Sequence, residues 1–356
     1  MDDGSQDESF NEIETDYDSS QDGSISTTAY SNSDSGIGLD FRSSTPESYS
    51  PMSFDFSDNI TQNFTGVNAL CEMHHAFINQ AAFVLSKPDI CLLQNSCGYL
   101  FQICKCGYTS FLLYACPNIL TYIRTAILSN SVIQEEPELL HCLSGVIYYI
   151  SQTEEGLNLF VKGDDIFVFT PLLAFPIESV LFYCLTAIHN LLLNRNVARE
   201  NVRRSNALGH LVLLLKISVA EYMQLSNCLE VCYSLTNLNT DLPGTLNPKF
   251  LAILCDCLYL LSYGDTATKC AIRNEGGIPA LLRILHFSTY DKLLWTASRL
   301  LRVLSAWSPA KIDIIDSDTS LEFIRRCLSS SYVHFSKVTP NALWTLRNLS
   351  DVAVGR

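Results

Sequence analysis

No apolar run in the sequence reaches the ~18 residues that a membrane-spanning helix needs. The opening stretch, MDDGSQDESF, is acidic where a secretory leader would be cationic and then apolar. Membrane insertion and secretion are therefore not expected, and the chain reads as cytoplasmic and nuclear. The short patterns of common enzymes are also missing: G-x-S-x-G, the P-loop, H-E-x-x-H and paired C-x-x-C motifs. Two C-x-C pairs, Cys104 with Cys106 and Cys255 with Cys257, lack the second pair that zinc requires. His74 and His75 are adjacent, so on a helix they point apart. No catalytic residue, metal ligand or cofactor is expected. Basic residues are nearly absent from residues 1–65, which hold fourteen acids against a single base, Arg42. That segment carries −13 of the net charge of −14, leaving −1 for the rest. A body so close to neutral lacks the electrostatic footprint of a nucleic-acid binder.

What is present divides in two. Residues 1–65 are rich in Ser, Asp, Asn and Thr and have no periodic apolar positions. They cannot bury enough surface to offset the chain entropy lost on ordering, and are expected to form a disordered, acidic regulatory tail. Within it Thr27, Ser31 and Ser35 are spaced by four. Ser35 lies in Asp34-Ser35-Gly36-Ile37-Gly38-Leu39, where a phosphate would sit beside a carboxylate on a flexible turn, suited to capture by an Arg cluster. The fourteen cysteines, in a reducing compartment, are expected as free thiols, and Cys184, Cys228, Cys257 and Cys327 fall inside apolar runs as small hydrophobes.

Residues 66–356 show helical periodicity, and strand-like alternation is scarce. Similar amphipathic segments recur, and aligning Phe101, Tyr148, His189, Tyr259, Arg302 and Arg347 gives intervals of about 40–47 residues with one of about 70. Each such segment follows a shorter apolar one that comes after Gly or Pro, as in Gly276-Gly277-Ile278-Pro279. This period fits an all-α array of two- or three-helix units of the armadillo or HEAT kind. The long interval places an insertion at 218–246, within which NCLEVCYSLTNLN reads as a further helix. No polar cap follows the last unit, so the array is expected to be incomplete at its C-terminal end.

The stretch YDKLLWTASRLLRVLS at 290–305 carries the most specific signal. Lys292, Trp295, Arg299 and Arg302 form one helical stripe, and nearly everything else in the segment is apolar. A solvated helix face is ordinarily a Glu/Lys mixture. A stripe of cations and one indole suits an extended acidic guest, with Arg and Lys pairing carboxylates and Trp covering aliphatic parts.

The segments SVLFYCLTAIHNLLL (179–193), KFLAILCDCLYLLSYG (249–264), YDKLLWTASRLLRVLS (290–305) and LWTLRNLSD (343–351) resemble the β-catenin/armadillo family in order along the chain. The resemblance implies a right-handed armadillo-repeat superhelix of about six repeats. It implies a non-enzymatic scaffold whose basic groove, formed by the third helix of each repeat, takes extended acidic peptides. By position, Lys269 and Lys292 are implied as the lysines that pair partner carboxylates. Phe182, His189, Asn190, Lys249, Phe250, Tyr263, Trp295, Arg299, Arg302, Trp344, Arg347 and Asn348 are implied as further groove residues. The implied partners are T-cell-factor-type transcription factors, cadherin tails and axin-like and adenomatous-polyposis-coli-like degradation scaffolds, engaged by a monomer in Wnt signalling, transcription coactivation and cell–cell junctions. DSGIGL resembles the family's phosphodegron, read by a ubiquitin ligase, except that Leu39 stands where the pattern has a second Ser. A nuclear-import carrier on the same fold is the alternative. Such carriers repeat Trp-x-x-x-Asn, which occurs here once, at Trp344 and Asn348, while Trp295 is followed four residues later by Arg299.

Overall fold

The helices repeat in groups, each closing on a helix of 15–17 residues, here the long helix, preceded by one of 6–23 residues, here the medium helix. A computed structural model describes residues 64–162, 164–194, 196–229, 247–328 and 337–353. All lie in the unit Asn63–Arg356. Thr27, Ser31, Ser35 and the DSGIGL segment lie outside the described residues. The first helix, α1 (Phe64–Val84), starts two residues ahead of the boundary read from composition, and is followed by the long α2 (Ile90–Lys105). The next unit is α3 (Thr109–Ala115), α4 (Ile119–Ser129) with the one-turn α5 (Ser131–Glu135), then α6 (Pro137–Ser151). The third is α7 (Glu154–Lys162), α8 (Phe169–Ala174) preceded by a 3-10 turn, and α9 (Glu178–Asn194). There follow α10 (Asn196–Arg204), α11 (Ala207–Leu229) and α12 (Pro248–Ser262), and then α13 (Thr266–Asn274), α14 (Gly277–Phe287) and α15 (Asp291–Ser305). The last is α16 (Ser308–Ile315), α17 (Asp318–Leu328) and α18 (Thr339–Ala353).

The breaks between helices follow from local chemistry. Asp89, Asn130, Asn247 and Asp265 cap α2, α5, α12 and α13, each side-chain oxygen accepting from a backbone N–H two or three residues on. Pro137 and Pro248 sit in the first turn of α6 and α12, where no N–H is needed. Gly276 is left-handed, at φ 78°. Beside it, a Cβ on Gly277 would lie 2.8 Å from Ile272 Cγ2 and 2.9 Å from Ile272 O, so that corner admits no side chain.

The long helices stack in sequence, α2 on α6, α6 on α9, α9 on α12, α12 on α15 and α15 on α18. The medium helices form a second rank, with α8 against α11, α11 against α14 and α14 against α17. One continuous apolar core runs between the ranks from Ile78 to Leu349. Burying a Leu or Ile side chain contributes about 1.5–3 kcal/mol, so each added unit is stabilised chiefly by the face it covers. Polar ties reinforce the stacking. Long helices end in Ser151, Ser262 and Ser305, and α18 carries Ser350 in its last turn; these hydroxyls donate to the carbonyl three residues back. Asn190 Nδ2 donates to Ser151 Oγ at 3.1 Å, and Asn348 Nδ2 to Ser305 Oγ at 3.1 Å, in each case reaching the preceding long helix. Arg203 donates to Leu261 O at the C-terminal end of α12, and Arg326 to His286 O at that of α14, closing carbonyls that a helix leaves unpaired.

A helix overlaps the start of the insertion expected at 218–246. The medium helix α11 continues through 218 as far as Leu229, with Ser218 and Val219 buried. Residues 227–229 of NCLEVCYSLTNLN belong to it, and residues 230–246 lie outside the described residues. Cys184, Cys257 and Cys327 are buried free thiols, as the apolar runs suggested; burial raises all three, Cys327 to about 11.

Candidate partner-binding groove

Helix α15 buries Leu293, Leu294, Ala297, Leu300, Leu301 and Leu304, which leaves the opposite stripe at the surface. Lys292 is exposed, while Trp295, Arg299 and Arg302 are half-buried. The stripe deduced from spacing is therefore a stripe in the fold. Its neighbour α12 packs against α9, α11 and α15 at once. Every residue of α12 from Phe250 to Ser262 except Ile253 is buried, including Asp256.

Asp256 is the residue that sequence reading missed. His189 Nε2, from α9, lies 2.8 Å from its Oδ2, and Arg299 Nη1, from α15, donates to its Oδ1 at 3.2 Å. One buried carboxylate thus ties three successive long helices. Burial pushes the Asp256 carboxyl up, but the hydrogen bond and charge of His189, with Arg299 and Lys292, more than reverse this and hold it below the usual carboxylate range. Arg299 lies 4.0 Å over the Tyr259 ring and 4.6 Å over the Trp295 ring, held between them as a cation on two aromatic faces. The only sign of this in the sequence is one carboxylate in the otherwise uncharged run LAILCDCLYLLS.

The pairing changes the electrostatics of the stripe. Arg299 and Lys292 both act on Asp256, and the other cations of α12, α15 and α18 are Lys249 at the start of α12, Arg302 on α15 and Arg347 on α18. Arg347 is exposed and lies 4.7 Å over the Trp344 ring. Cation and indole therefore recur together on successive long helices.

Several expected groove residues have other surroundings. Lys269 is 1 % exposed on the short helix α13, and its charge acts on Asp265, which also pairs with Arg203 at 3.4 Å. The structure does not bring it into the Asp256–Arg299–Lys292 cluster, because its stem is packed between helices. Phe250, 1 % exposed, and Phe182, 8 % exposed, are part of the apolar core. Tyr263 is exposed at the C-terminal end of α12, with its ring 6.1 Å from that of Tyr259. Asn190 and Asn348 stand on the long-helix rank, and each spends an amide proton on the preceding unit. His74 and His75 do diverge, one towards Tyr99 and the other towards Asn79.

Three-helix units stacked through their long helices define an armadillo-repeat protein. Over 76 % of its length the chain superposes, with TM-score 0.55 and 16 % identity, on 99 % of a computationally designed armadillo repeat protein for modular peptide recognition. It also superposes, with TM-score 0.57 and 21 % identity over 77 % of its length, on 45 % of a chain in a structure bearing on a phosphorylation switch in the interaction between cadherin and beta-catenin. No protein-family model matches the sequence. Among curated proteins, human (Homo sapiens) junction plakoglobin is 37 % identical over 212 residues, 60 % of this chain and 24 % of that protein. Catenin beta of Urechis caupo is 35 % identical over 216 residues, 61 % of this chain and 22 % of that protein. The chain belongs to the β-catenin/armadillo family. It spans about a quarter of the length of the curated relatives it matches.

Proposed function

We propose that this chain is a β-catenin-like scaffold that holds extended acidic peptides along its long-helix rank. The observation that carries the reading is the recurrence of a cation and an indole on consecutive long helices: Lys292, Trp295 and Arg302 on α15, Trp344 and Arg347 on α18. Each charge-assisted contact to a guest carboxylate contributes about 1–3 kcal/mol, and indole covers the aliphatic stems between carboxylates. Kinship with plakoglobin and catenin beta, and the fold shared with a β-catenin studied with cadherin, support cadherin tails as one partner class. T-cell-factor-type transcription factors and axin-like and adenomatous-polyposis-coli-like scaffolds present the same acidic chemistry. On this reading the chain acts in Wnt signalling and transcription coactivation as well as adhesion, in the cytoplasm, in the nucleus and at junctions. Its N-terminal serines and threonine (Thr27, Ser31, Ser35) form a phosphorylation-dependent handle for a ubiquitin ligase.

The test is a pull-down with one cadherin-like and one T-cell-factor-like acidic peptide. The native chain should retain both, and Lys292→Glu with Arg302→Glu should lose both. Equal retention by the charge-reversed chain refutes the reading. Lys269 is left intact because reversing a buried lysine would unfold α13 and mimic a loss of binding.

A further inference from the structure

The positions that are equivalent on the six long helices read Phe101, Tyr148, His189, Tyr259, Arg302 and Arg347. The cations lie at one end of the series and the aromatic rings at the other. Along α2, α6 and α9 the charged residues other than histidine are Lys105, Glu138 and Glu178, all near helix ends, so this half of the rank is close to neutral.

What it offers instead is a connected sheet of rings. Phe101 on α2 has its centroid 5.4 Å from His141 and 6.1 Å from Tyr149, both on α6, and 6.3 Å from Tyr183 on α9. Tyr148 lies 5.1 Å from Tyr149 and 5.2 Å from Tyr183. Gly145 makes room for it: a Cβ there would stand 2.3 Å from Phe101 Cε2, so only glycine lets the ring lie against the backbone of α6. A glycine inside a helix is less stable than an alanine there, and this ring placement must offset the difference. Phe101, Tyr148 and Tyr149 remain half-buried, with ring surface open to a guest.

We propose that the groove is bipartite, and that the stretch over α2, α6 and α9 receives an uncharged, proline-containing segment continuing the acidic segment of the same guest. This rests on the acidic-peptide reading for the other half. Two considerations select proline. Aromatic faces without charge take prolyl rings. A polyproline II chain repeats every three residues, about 9.3 Å, and packed helices lie about 8–10 Å apart, so a proline at every third residue meets successive long helices in register. The guest is also stiff before it binds, so little entropy is lost on docking.

The test uses the full chain and calorimetry with peptides that share one glutamate-rich stretch. They are extended at either end by a proline-every-third segment, or by a Gly/Ser segment of equal length. The proline extension should tighten binding about tenfold over Gly/Ser in one order of segments. Tyr148→Gln should abolish that gain, Tyr148→Phe should keep it, and both should leave the unextended acidic peptide unchanged, which also shows that they are folded. Equal affinity of the two extended peptides overturns the proposal. If instead the acidic stretch does not bind alone while the proline segment binds and loses affinity in Tyr148→Gln, the acidic reading falls and the aromatic site stands.

Discussion

Replacing Asp256 by alanine removes the acceptor on which His189 and Arg299 converge. The Asp256 side chain is 7 % exposed and that of Arg299 16 %, so water reaches the abandoned guanidinium only in part. Removing one partner of a buried ion pair costs about 3–5 kcal/mol. The partial exposure of Arg299 and its two stacked rings put the expected cost near the lower end, about 3 kcal/mol. Asp256→Asn keeps the shape and one acceptor oxygen, and should cost about 1–2 kcal/mol. Urea unfolding followed by circular dichroism should show a lowered midpoint with an unchanged slope. The two variants should also differ from the native chain in acid. Because the folded state holds this carboxyl below its ordinary value, the unfolded chain takes up its proton first. The stabilisation is therefore complete above about pH 4 and is lost as pH falls through the folded value. Asp256→Asn should lack that component of the acid limb. A cost within about 0.5 kcal/mol of zero for Asp256→Ala, or an acid limb unchanged in Asp256→Asn, would show that the carboxylate does not tie the three helices.

Gly145→Ala should destabilise by about 1–3 kcal/mol through overpacking against Phe101, read as a drop in thermal midpoint; an unchanged midpoint would mean that the ring moves aside freely. Alkylation mapped by mass spectrometry at pH 8 should label the exposed Cys91 and Cys106 first and reach Cys184 and Cys257 only in denaturant, because burial raises both thiols. Labelling of Cys184 in the folded chain at the rate of Cys106 would contradict the packing.

Local periodicity made much of the molecule legible. The spacing of Lys292, Trp295, Arg299 and Arg302 depends only on helix geometry, so their shared edge survives any detail of packing. The recurrence of amphipathic segments aligned on Phe101, Tyr148, His189, Tyr259, Arg302 and Arg347 likewise located the rank that the structure stacks. What depends on a neighbour was hidden. Asp256 meets His189 across the 70-residue interval, where the period is broken, and no local pattern pairs them. Lys269 sits in the short amphipathic helix TATKCAIRN, and only the packing of adjacent helices decides whether its stem is covered. Phe182 and Phe250 fall on long helices that are enclosed on more than one side, so a solvent face cannot be assigned from period alone. The continuation of α11 past 218 was obscured because its sequence stays helical after the repeat length has run out.

On the proposed reading the long-helix rank presents positive charge to an extended guest. Its most direct test is calorimetry of the native chain at low salt with two peptides of equal length, one glutamate-rich and one lysine-rich. The glutamate-rich peptide should bind and weaken steeply as salt rises, and the lysine-rich peptide should give no heat. Binding of the lysine-rich peptide as tight as that of its acidic counterpart would contradict the account and favour a carrier of basic cargo.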